Sequence, residues 1–231
     1  MVAFAAAVQL ATGFGFALVC VPLLIVFVDP HLAVLIALQI GLVGALYQAV
    51  EGRREIDRGV VGRITVAAFV GLPVGGWVYA RSSPEVLKVL IGVIIVTAVV
   101  FLARGLSFRR SSPIVDLTAG LLTGFLTTST GTSGPPIVTV LHARNVSPRV
   151  FRATTSTIFS VLDGVAILGY VVTGRFPLWL FLATLATLPG LAVGAWVGIA
   201  ARHRLSPEAF RVAVLVLLAA TGLAAIVTAF L

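Results

Sequence analysis

The sequence predicts an all-α integral membrane protein made of two inverted repeats, each a broken, re-entrant helical hairpin plus three transmembrane helices. Three observations predict it. Apolar residues make up 59% of the chain and charged residues 10%, too little polar surface for a soluble domain of 231 residues. Proline and tryptophan anchors recur in one order at nearly one spacing. The apolar sequence is also interrupted by TTSTGTSGPP (127–136), which suits neither a helix interior nor a strand.

Apolar segments run over 2–28, 31–50, 61–80, 85–103, 114–142, 150–173, 177–200 and 207–231. They form two sets of four, which divides the chain into repeats at 1–112 and 113–231 within one integral domain. VDPHLAV (28–34) matches VSPRVFR (146–152), with Pro30 and Pro148 118 residues apart. VGGWV (74–78) matches VGAWV (193–197), with Trp77 and Trp196 119 apart. SSPEVLKVL (82–90) matches LSPEAFRVA (205–213) at a spacing of 123, a drift that a small insertion explains. At the first spacing Gly13 falls opposite Gly131. TGFGFALVCVPLL (12–24) is then the counterpart of TGTSGPPIVTVLH (130–142).

Charge decides how the interrupted segment sits. The arginines of loop 51–63 place it in the cytoplasm. If all eight segments cross, the 16 basic residues divide evenly between the two sides. If segment 114–142 enters and leaves on one side, Arg144, Arg149, Arg152, Arg202 and Arg204 move inside and Arg175 moves out. Twelve of the 16 then lie inside. Loops 103–113, 143–150 and 201–206 become cytoplasmic and 173–177 external. Local chemistry agrees. Pro135 and Pro136 in a straight helix would cost ~3 kcal/mol or more each, whereas at the start of a second arm they cost little. A break at 129–134 leaves arms of roughly 13 and 9 residues, neither long enough for a ~30 Å core at ~1.5 Å per residue. Thr132 or Ser133 is placed to cap the second arm. The first-half hairpin, with Gly13, Gly15 and Pro22, is inferred from the repeat alone.

Unpaired backbone at membrane depth is tolerated only where protein buries it or where it lines a watery cavity. A half-helix starting there aims free N–H groups and a positive dipole end at that cavity, which suits an oxyanion. Two inverted hairpins would place two such ends near the midplane, facing each other. The predicted binding set is Gly13, Gly15, Ser129, Thr130, Gly131, Thr132, Ser133, Gly134 and Pro135, with Gln39 as a packing or pore-lining amide. Arg152 is either a contact at the cytoplasmic mouth or a positive-inside anchor. Asp163 is the acid well inside a predicted crossing, so it should face protein or water. It shares a helix face with Ser156, Ser160 and Gly164. Two roles fit it, a carrier of a coupling proton and a neutral, hydrogen-bonded structural acid. Gly41, Gly44, Gly164 and Gly169 read as close-packing glycines, and Asp57 and Asp116 as ordinary boundary acids.

Other classes fit less well. The net charge of +8 would suggest nucleic acid in a soluble protein, but here the basic residues flank apolar segments and read as topology signals in contact with anionic lipid. The single cysteine, Cys20, rules out an internal disulfide and a cysteine metal cluster, and no cofactor is expected. MVAFAAAVQLATG lacks the basic stretch of a cleaved signal peptide and reads as mature sequence. GTSG (131–134) fits the pattern of intramembrane serine proteases. That chemistry needs a histidine at the serine, and His31, His142 and His203 sit at predicted boundaries or in loops. A small-anion channel is the stronger alternative to a transporter. No nucleotide-binding loop is present.

GLLTGFLTTSTGTSGPPIVTVL (120–141) and RVFRATTSTIFSVLDG (149–164) resemble the second repeat of the sulfite exporter TauE/SafE family, and ATGFGFALVCVPLL (11–24) resembles its first. The resemblance covers nearly the whole chain. It implies a multi-pass permease of the cell membrane that moves sulfite, organosulfonates or similar anions, not an enzyme. Its expected partners are the anion, membrane lipid and a second copy of the chain. Four positions depart from the family pattern. Phe14, Phe16 and Ala17 stand where more glycine is usual, and Asp163 stands where an amide is common.

Overall fold

The computed structural model describes residues 1–12, 16–104, 112–144, 146–201, 216, 218–220, 222–227 and 229. Among them the chain forms α1 (Val2–Thr12), α2 (Phe16–Leu24), α3 (Pro30–Glu51), α4 (Arg58–Arg81), α5 (Pro84–Ala103), α6 (Pro113–Thr130), α7 (Gly134–Ala143), α8 (Pro148–Val172) and α9 (Trp179–Ala201), with no strand. The helices α3, α4, α5, α8 and α9 are long and apolar enough to cross a membrane. Their outer faces carry large apolar side chains such as Val66, Phe69, Val70, Leu182 and Trp196, as a lipid surround requires. The fold is the expected all-α membrane architecture. Of the expected eighth segment, most lies outside the described residues, as do His203 and Arg204.

The order short, short, long repeats in α1–α2–α3 and α6–α7–α8. The two long helices also start alike. Asp29 caps α3 by accepting from the N–H of His31 at 2.9 Å, and Ser147 caps α8 by accepting from Val150 at 3.4 Å. Each cap is followed by a proline at the first helical position, where the missing N–H costs nothing.

Contacts give the helix directions. Gly41 lies by Asp163, Gln48 bonds Ser156 and Gly52 abuts Ala153, so α3 and α8 run antiparallel. Ile64 meets Gly120, Ala68 meets Gly124 and Leu72 accepts from Thr128, so α4 and α6 run parallel. Gly194 meets Ala3 and Gly198 meets Ala7, so α9 runs parallel to α1. The two parallel pairs depend on glycines four apart: Gly71 with Gly75, Gly120 with Gly124, and Gly194 with Gly198. A Cβ at Gly71 would strike the carbonyl oxygen of Leu121, one at Gly75 that of Phe125, and one at Gly194 that of Ala3. Small residues one turn apart let backbones approach closely in the absence of a hydrophobic driving force between helices. By contrast, Gly164 and Gly169 face open space, so the packing expected of them is not found.

The interrupted segment is a hairpin, but its arms differ from expectation. α6 has 18 residues and α7 has 10. At ~1.5 Å per residue α6 is ~27 Å long, nearly the thickness of a ~30 Å core. Length therefore does not turn the chain back. An ion cluster holds the two ends together instead. Asp116, in the first turn of α6, receives Arg144 from the end of α7 at 2.7 Å and Arg63 from the second turn of α4 at 2.6 Å. Arg144 also lies 3.9 Å from Asp57, which caps α4. The two acids read as boundary residues are thus structural, and Asp116 is fully buried. The sequence placed them at the right depth, but composition could not show that three chain segments converge there.

Candidate functional site

The turn between α6 and α7 is made by Gly131, whose φ of 72° lies in the left-handed region that glycine enters without steric cost. Before it, the hydroxyls fold back on their own helix. Thr127 donates to Thr123, Ser129 to Phe125 and Thr130 to Leu126, each four residues back. Because the Thr130 proton goes to Leu126, Thr132 is the donor in the 2.7 Å Thr130–Thr132 pair. Ser129, Thr130 and Thr132 are therefore not the open donors expected of them. Ser129 and Thr130 spend their protons on carbonyls of their own helix and Thr132 on the Thr130 hydroxyl.

Ser133 behaves differently. It occupies the N-cap of α7 but makes no side-chain capping bond, contrary to its expected role. Pro135 and Pro136 carry no N–H, so the first turn of α7 offers only the amides of Ser133 and Gly134.

These groups open onto a cavity of about 20 Å³. Its lining comes from five places in the fold. The α6–α7 break contributes Gly131, Ser133 and Gly134, and the start of α2 contributes Phe16, Ala17 and Leu18. Gln9 comes from α1, Ala37 and Gly41 from α3, and Phe159 and Asp163 from α8. The starts of the two short arms, paired in the sequence by the 118-residue spacing, meet at one place. Gly13 and Gly15 lie outside the described residues. Pro135, Gln39 and Arg152 do not line the cavity. Gln39 is buried with its Oε1 unpartnered, and Arg152 is half-buried near the start of α8.

Sequence reasoning missed Gln9, Phe159 and the role of Gly41. Gln9 is the lone amide in the first apolar segment, which was a usable signal. The polar face expected on α8 is also different. Ser156 donates to Gln48 at 2.6 Å and Ser160 to the Ser156 carbonyl, so Phe159 and Asp163, one turn apart, form the lining. Neither His31 nor His142 lines the cavity that holds Ser133.

On one side of the break, aromatic residues close the structure. The Tyr170 hydroxyl donates to the Thr128 carbonyl at the end of α6. The Tyr79 ring packs 4.7 Å from that of Tyr170, and the Tyr79 hydroxyl donates to the His31 carbonyl at 3.1 Å. The other side holds the Arg63–Asp116–Arg144 cluster.

Charge in the cavity is one-signed among the described residues, because Asp163 is the only ionisable one of them in its lining and is 8% exposed. Two unit negative charges ~4 Å apart repel by ~4 kcal/mol at an effective dielectric constant of ~20. An anion beside an ionised Asp163 would feel that repulsion, while the amides and dipole end of α7 attract it. In volume the cavity admits about one water. An oxyanion with four or more heavy atoms enters only after the helices move apart.

A family model described as Sulfite exporter TauE/SafE matches residues 1–225. No curated protein and no solved structure matches the chain. With the match spanning nearly the whole chain and the helices able to cross a membrane, this protein belongs to the sulfite exporter TauE/SafE family of membrane transporters.

Proposed function

We propose that the chain is a secondary transporter of the cell membrane that exports small sulfur oxyanions, sulfite or organosulfonates, bound between its two helix breaks. The observation that carries this is the shared cavity: Phe16–Leu18 at the start of α2 and Gly131, Ser133 and Gly134 at the α6–α7 break line one space. The α7 amides and the dipole ends favour an anion there. A bare anion leaving a negative-inside cell is driven outward by ~2.3 kcal/mol per charge per 100 mV, and an anion that leaves with a proton is driven by its own concentration gradient and the pH difference, so neither form of export needs a nucleotide.

In this reading residues 1–112 and 113–231 are inverted repeats. The antiparallel run of α3 against α8, which begin with matching caps, supports the inversion. So does the pairing of each hairpin's first arm with a long helix of the other repeat. Alternating access would then open the water-sized cavity to each side in turn.

Thermal unfolding of the purified protein with sulfite, sulfoacetate, isethionate or taurine, against chloride, tests the substrate class. Stabilisation by at least one sulfur anion and none by chloride is expected. A shift only with cations or sugars sinks the reading. For topology, single cysteines are placed at Val146 and Arg175 in a Cys20→Ser background, leaving Gly174 alone because its φ is 69°. In intact cells an impermeant reagent should label position 175 and not 146. The reverse pattern would overturn the hairpin's placement.

A further inference from the structure

Three polar side chains around the cavity lack the partners that buried groups normally have. Gln9 is 2% exposed and its Oε1 has no hydrogen bond, while its Nε2 is held 3.4 Å from the Gly41 carbonyl. Ser133 is 5% exposed and leaves α7 uncapped by its side chain. Asp163 is 8% exposed and makes no hydrogen bond with any described residue. They come from α1, from the α6–α7 break and from α8, so no local turn explains them. Native proteins rarely leave buried polar groups unpaired, and each exception calls for an explanation.

The geometry narrows the explanation. Oδ2 of Asp163 lies 3.8 Å from the position a Cβ on Gly41 would occupy. The Gln9 amide sits against the equivalent position on Gly44, one turn along the same face of α3. Such positions are ~5–6 Å apart on α3, and both side chains line the one cavity, which has room for about one water. Gln9 Oε1 and an ionised Asp163 are both acceptors, so neither satisfies the other. A protonated Asp163 has a donor to give, either to Gln9 Oε1 or to a water between them. The Ser133 hydroxyl has an acceptor and a donor to complete the set.

We propose that Asp163, Gln9 and Ser133 form a proton site, and that one proton occupies it whenever the anion is bound. The site therefore carries a proton in the same direction as the anion, and a monovalent anion crosses without net charge. The step balances simply. Asp163 takes a proton from water on one side of the membrane and releases it to water on the other. One O–H bond forms and then breaks, and nothing is oxidised or reduced.

Among the described residues no other charged group competes for this role at the cavity. On the helices packed against α8, ionisable side chains cluster at the ends. His31 and Tyr79 lie with Tyr170 at one end. Arg63 and Asp116 lie at the other, with Arg152 near the start of α8. Arg58, Arg81, Glu51 and His142 are at or near helix termini, and Tyr47 is exposed. Cys20 on α2 is buried but does not line the cavity.

The inference rests on the anion reading, and the experiment separates the two. The full chain is reconstituted in liposomes with isethionate, whose sulfonate stays monovalent across the working pH range, and a trapped pH dye. Counterflow of labelled isethionate reads anion transport, and protons and charge are followed during net isethionate flux down an imposed gradient. The dye reads protons, and a potassium diffusion potential reads charge. The wild type is expected to move about one proton with each isethionate and to ignore the imposed potential. Asp163→Asn is expected to lose the proton signal and to make any remaining flux follow the potential. Gln9→Leu keeps the carboxylate, so it should keep the proton signal but shift the pH at which flux is half-maximal.

Net isethionate flux without proton movement in the wild type overturns the proton site and leaves the anion reading standing. Proton movement surviving in Asp163→Asn also overturns the site. No counterflow with any sulfur anion overturns both. Should Asp163→Asn be inert, the wild-type signals and the Gln9→Leu pH shift decide. An unshifted profile then removes Gln9 from the site.

Discussion

Asp116→Ala is expected to destabilise the protein by ~3–5 kcal/mol, the range found when one partner of a buried ion pair is removed. Asp116 is fully buried, and its carboxylate holds Arg63 and Arg144 at 2.6 and 2.7 Å. The Arg144 side chain is only 15% exposed, so its guanidinium would stay buried beside the distant Asp57 alone. Arg63 is 39% exposed and can turn to water, so most of the loss comes through Arg144. Replacing all three together, Asp116→Leu with Arg63→Met and Arg144→Met, should recover much of the loss, because no uncompensated charge remains. Thermal unfolding of the purified variants in one detergent measures both. If Asp116→Ala unfolds with the wild type, the cluster does not close the hairpin. The triple variant should also weaken the positive-inside signal, so its insertion in cells should be less uniform than that of the single variant.

Gly124→Leu is expected to be the most damaging single change along the α4–α6 contact. A Cβ there would fall on the Ala68 carbonyl oxygen, with the Ala68 carbonyl carbon at 2.7 Å and its Cα at 2.8 Å. All three are backbone atoms, so no side chain can swing aside and the helices must separate. Overpacking in a well-packed core costs ~1–3 kcal/mol, occasionally more, and the Thr128 bond to the Leu72 carbonyl lies one turn away. Gly164→Ala is the matched control. Nothing lies within 4 Å of its Cβ position, and alanine is the better helix former by ~0.5–1 kcal/mol. The two variants should move the unfolding midpoint in opposite directions. Equal midpoints would mean that the close approach of α4 and α6 adds nothing to stability.

The helix breaks were legible because their causes are local. Gly131 and the Pro135–Pro136 pair act on their own backbone, so TTSTGTSGPP announces a break whatever surrounds it. The long helices were legible for a similar reason. Pro30, Pro148 and the residues before them are start signals that need no neighbours, and an apolar segment in lipid needs only length. The 118-residue spacing also paired the two short arms before any contact was known.

What the hydroxyls do was not legible. Thr130 and Thr132 look like donors for a ligand, and only the helix geometry shows their protons on Leu126 and Thr130. Asp116 and Arg144 are 28 residues apart, and nothing in their spacing shows that they form an ion pair. Gly41, Gln9 and Asp163 stand in three separate segments. By itself, the sequence determined where this chain is helical and where it breaks, because backbone sterics and transfer from water act residue by residue. Only the tertiary structure decided which polar groups are satisfied and which face the cavity, because a hydrogen bond is completed by a partner that distant chain brings within reach.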